Sequence, residues 1–129
     1  MGKTLIKISA VYFLIGVAIG YYMSTSHVYV LKGVHVHINL LGWTALTLIG
    51  ILYVLFPSLE KTILAKGHFW LHNIGLPIMM LSLAIMLQTG NMNSTPLVVG
   101  TAVGGTLVLI GVILFTFNVL FHLKGKTAV

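Results

Sequence analysis

Four apolar stretches, at residues 5–23, 34–56, 69–87 and 96–123, take up most of this 129-residue chain and leave it almost no polar coat. Charged residues make up 6% of the sequence, where a soluble domain uses about a quarter to cover its surface. A helix needs about 20 apolar residues to cross the hydrocarbon of a bilayer, and each stretch is close to that length. The expectation is an all-α membrane protein, a four-transmembrane-helix bundle forming a single domain over residues 1–129. No room remains for a catalytic module outside the membrane. The first stretch is too long for a signal-peptide core and runs into Tyr21 and Tyr22 rather than a small-residue cleavage site, so it reads as retained.

Charge sets the expected orientation. All seven basic residues are lysines, and they form no run or patch of the kind that binds nucleic acid. Lys3, Lys7, Lys61, Lys66, Lys124 and Lys126 fall on one side of a four-span topology, and only Lys32 on the other. Lysine gathers on the cytoplasmic side, so both termini and the loop 57–67 are expected inside, with the loop 88–95 outside. The lipid bilayer is the expected partner, and a cell (inner) membrane, crossed several times, the expected location.

What is missing narrows the chemistry. The chain has no cysteine, no aspartate and a single glutamate, Glu60. Thiolate catalysis, disulfides, iron–sulfur ligation and covalent c-type heme attachment are excluded. Paired-carboxylate catalysis, acidic calcium or magnesium sites and a carboxylate proton relay go with them. Any chemistry rests on six histidines.

The expected topology sorts these by depth: His27, His35 and His37 at the outer end, His68, His72 and His122 at the inner end. His35 and His37 are two helical steps apart, about 200° around the axis, so they serve opposite faces and cannot chelate one ion. Asn39 and Trp43 follow below them and are expected to line such a site. A polar His-x-His-x-Asn run at lipid depth is costly without a purpose. His68 and His72, at i and i+4, share one face in a spacing suited to copper or zinc, with His122 as a third candidate ligand. The plainer expectation for these three is an interfacial place at helix ends. His27 reads as a solvated loop residue, the methionines as packing, and Tyr21, Tyr22, Tyr29 and Trp70 as an aromatic belt. Gly16 with Gly20, and Gly100 with Gly104, give small-xxx-small pairs on the first and fourth stretches, candidate surfaces for helix contact between copies.

The segment His35-Val-His-Ile-Asn-Leu-Leu-Gly-Trp43 resembles subunit I of heme–copper oxidases, above all the large subunit of nitric oxide reductases. There a His-x-Asn-Leu-Leu-like segment on the second helix supplies a ligand to the low-spin heme, and a later His-x-His pair serves two hemes. The resemblance puts the first role on His37 and lets His35 and His37 act as the pair. It implies a heme b-binding membrane protein, in electron transfer or in gas or redox response. The adjacent histidines of the copper site and the acids of the proton channels have no counterpart here, so heme binding is the part of the resemblance that survives, and whether the chain is an enzyme stays open. The family's large subunit is built as three similar arcs of four helices. A four-helix protomer corresponds to one arc, and a homo-oligomer, preferably a trimer, would share each heme between His37 of one copy and His35 of the next; the alternative second ligand is the loop residue His27 of the same chain. The competing readings are a non-heme copper- or zinc-binding membrane protein on His68, His72 and His122, and a cofactor-free small subunit or assembly factor of a respiratory complex.

Overall fold

The computed structural model describes residues 1–123. Four helices in it are long and apolar enough to cross a membrane: α1 (Gly2–Ser26), α2 (Lys32–Leu55), α4 (Ile63–Thr89) and α5 (Thr95–His122). A short helix, α3 (Pro57–Glu60), joins α2 to α4. No strand occurs among the described residues. Large side chains such as Leu14, Leu48, Leu81 and Leu120 point outward, one on each of the four long helices. Such a surface suits lipid, and the chain is therefore a multi-pass membrane protein.

Burial against lipid drives little helix association, so close packing and internal hydrogen bonds hold the helices together. The α4–α5 pair is the tightest. A Cβ on Gly104 would lie 2.5 Å from the Met79 backbone nitrogen, and one on Gly75 would lie 2.7 Å from the Gly104 carbonyl oxygen. The α1–α2 pair meets through Gly16 and Gly20, which face Asn39 and His35, and through a hydrogen bond from Thr47 to the buried Ser9, 2.8 Å. Both glycine pairs are thus consumed inside one chain. Gly16 and Gly104 are buried in these seams, and Gly20 and Gly100 are half-buried beside them.

The two hairpins meet along α2. Near one end Val34 and Ile38 of α2 pack with Leu76 and Met80 of α4 and Val108 of α5. Near the other, Leu46, Ile49 and Tyr53 pack with Leu5 and Leu59. Contacts also fix which loops share an end. The Met1 amino group pairs with Glu60, whose carboxylate also accepts from the Gly2 amide at 3.0 Å. Asn118 of α5 donates to the Leu59 carbonyl at 3.0 Å. The start of α1, the α3 loop and the close of α5 therefore lie together, and the loop at Asn91 lies at the opposite end.

Two features depart from the expected helix pattern. α4 begins at Ile63, ahead of the apolar stretch at 69–87, because the Thr62 hydroxyl caps it by accepting from the Ala65 amide at 3.0 Å. Gly67, the last residue of the loop expected at 57–67, lies inside the helix, against Leu114. The middle of α2, Ile38–Ala45, is a π-helix, a wide turn most often met at functional sites. Lys124 and Lys126, which contribute to the lysine bias, lie outside the described residues.

Candidate functional site

The imidazoles of His35 and His37 leave α2 on different sides. His35 turns toward α1, half-buried over Gly20, where an added Cβ would meet its ring at 2.8 Å. Its Nδ1 lies 2.8 Å from the Gly16 carbonyl oxygen. His37 is exposed, with Nδ1 2.8 Å from the Gly33 carbonyl oxygen one turn earlier. A carbonyl can only accept, so both Nδ1 atoms carry the proton and both Nε2 atoms keep the lone pair. A backbone carbonyl on one ring nitrogen is the usual way a ligating histidine is held in tautomer and orientation. The two rings thus present a lone pair each on different sides of α2, that of His35 in the α1–α2 seam and that of His37 on the exposed side. Val36 and Leu40, both exposed, give the surface around His37 an apolar character.

Asn39 and Trp43 lie on the His35 side of α2. Asn39 lies against Gly16 and donates to the His35 carbonyl at 2.8 Å. Trp43 stacks on Phe13 of α1 with ring centroids 4.6 Å apart. Both belong to the α1–α2 seam beside His35, not to the exposed face of His37. His27 caps α1 in the left-handed conformation, at φ 55°.

The inner histidines differ most from expectation. His68 and His72 are fully buried, between α2, α4 and α5. With α4 starting at Ile63, they sit about 7 and 13 Å along it rather than in its first turn. His122 ends α5 in an exposed position. Among the described residues no three His, Cys, Asp or Glu side chains come together as a metal-holding group, so a His68–His72–His122 site is not assembled within one chain. The His68 and His72 rings are 5.2 Å apart, and His72 donates from Nε2 to the Leu41 carbonyl in the π-helical part of α2, 3.2 Å away. Tyr53, near the end of α2, has its ring 6.4 Å from that of His68. Sequence reasoning missed this enclosure. The signal that could have revealed it was Thr62, a capping residue just before an apolar triplet.

The chain matches no protein-family model, no curated protein and no solved structure.

Proposed function

We propose that this is a heme b-binding integral membrane protein, related to subunit I of heme–copper oxidases, that carries electrons or responds to gas or redox state. His37 is the first axial ligand. His35 is the second, supplied by a neighbouring copy in a homo-oligomer, preferably a trimer. Heme would supply a one-electron redox centre there. His37 and His35 would hold it through two neutral nitrogens, a ligand pair that favours electron transfer over ligand turnover. The protein sits in the inner membrane with both termini inside, as the lysine distribution indicates.

The observation that carries this reading is the pair of carbonyl anchors on His35 and His37. Each fixes Nδ1–H and frees Nε2, and the two rings serve different sides of one helix. An interfacial histidine has no need of a fixed tautomer, whereas a ligand does.

The visible spectrum of the purified protein is the test. A red protein with a sharp reduced-form band is expected, lost in His37→Ala and unchanged in His122→Ala. Loss in His35→Ala as well supports the shared heme. A colourless preparation, or a His37→Ala variant with a normal low-spin spectrum, sinks the reading. A colourless protein that co-purifies with a respiratory complex would favour a cofactor-free subunit.

A further inference from the structure

His68 and His72 stand one turn apart on the inward face of α4, with no exposed surface and their ring planes at 70°. Since the Leu41 carbonyl accepts from His72 Nε2, the lone pair of that ring is on Nδ1. This Nδ1, both ring nitrogens of His68 and the Tyr53 hydroxyl are buried and have no hydrogen-bond partner. Phe115 of α5 closes the cluster, its ring 5.4 Å from His68. Each unpaired buried polar atom costs about 1–3 kcal/mol. Leucine at position 68 would fill the space without that cost, so packing gives no reason for histidine there. A ligand that takes up the lone pairs does.

We infer that His68 and His72 bind one cuprous ion inside the helix assembly. Histidines at i and i+4 on one helix face can reach a single ion, as in helical zinc sites. The His72 Nε2–H bond to Leu41 is the outer contact that orients a metal-bound imidazole and raises its basicity. The donors are neutral, which selects the charge of the ion. The single carboxylate of the chain, Glu60, is engaged by the Met1 amino group and the Gly2 amide. A divalent ion would bring two uncompensated charges into a low-dielectric interior, a monovalent one only half as much. Zinc also asks for four ligands, whereas cuprous ion accepts two nitrogens. The site does not depend on heme at His35 and His37.

Anaerobic titration of the purified protein with Cu(I), kept reduced by ascorbate and competed with bicinchoninate, tests the proposal. One Cu(I) per chain is expected, weakened at least about 100-fold in His68→Leu and in His72→Leu and unchanged in His122→Ala. Metal-free His68→Leu is expected to be at least as heat-stable as the metal-free parent, because it removes two unpaired nitrogens. Should a leucine variant fail to fold, nitrogen-15 histidine spectra of the unaltered protein still decide. Cu(I) should shift the ring nitrogens of two histidines that are sealed from solvent, and leave the other four in place. The site is overturned by binding no tighter than the chelator, by binding that survives both leucine variants, by shifts at other histidines, or by Zn(II) held in preference to Cu(I). A colourless protein that binds one Cu(I) upholds this site and sinks only the heme reading.

Discussion

The Thr62 hydroxyl connects three elements. It caps α4 by accepting from the Ala65 amide, and it offers its own proton to Asn118 Oδ1 at 2.9 Å and to the Leu59 carbonyl at 3.1 Å. Thr62→Ala strips the cap and leaves the buried Asn118 short of a donor, which should cost about 1–2 kcal/mol, while Thr62→Ser keeps the hydroxyl and most of the stability. Thermal unfolding in detergent separates the two. Glu60, two residues earlier, has its carboxyl held below the usual range, chiefly by the Met1 amino group and then by the Gly2 amide. A depressed folded pKa means stability that is present above the unfolded carboxylate value, near 4.3, and lost as pH falls through the lower folded value. Glu60→Gln should therefore lower the unfolding midpoint at pH 7, and the gap should close toward pH 3. The effect is small, because the pair is partly exposed. At this scale the sequence was only partly legible. His35 and His37 face different sides, as the 200° between them demands. Lys61, Lys66 and Gly67 look like a loop and so place His68 and His72 at an interface, yet the Thr62 cap carries Lys66 and Gly67 into the helix and leaves only Lys61 before it.

Close approach of helices depends on glycines that face backbone. Gly104→Ala would place its Cβ 2.5 Å from the Met79 nitrogen and 2.7 Å from the Gly75 carbonyl oxygen, neither of which can rotate away. The α4–α5 pair must then separate, at a cost of about 1–3 kcal/mol. Gly33 offers the contrast: nothing lies within 4 Å of the same added atom. Gly33→Ala should be neutral or stabilise by about 0.4–1 kcal/mol, and it leaves intact the carbonyl that holds His37. Unfolding midpoints of the two variants, measured side by side, check the pair. The same glycines show what a pattern can and cannot tell. Spacing of four residues marks a surface that another helix can approach, but it does not say whether that helix belongs to the same chain. Helix count is legible because apolar length is a strong signal. The π-helical turn at Ile38–Ala45 is not, since Asn39 and Thr44 aside its residues keep the apolar character of the stretch and the wide register shows only in the backbone.

On the scale of the whole molecule, two ends of the helix assembly carry unequal charge. Lys3, Lys7, Lys61 and Lys66 lie toward the end where Met1 meets Glu60, and Lys32 opens α2 at the other. The internal contacts establish which segments share an end, and they are indifferent to which side of a membrane that end faces. Only the lysines bear on the side, because a positive flank is retained on the cytoplasmic face while the opposite loops are translocated. The chain lacks cysteine, so a single introduced thiol reports without background. Ser58 and Asn91 are both exposed, one at each end, and neither takes part in a buried hydrogen bond. In intact cells Asn91→Cys should react with a membrane-impermeant maleimide, and Ser58→Cys should stay silent until the membrane is opened with detergent. The reverse pattern would invert the protein in the membrane. It would also move His35 and His37 to the cytoplasmic face, so that any electron delivered through them would have to come from the inside.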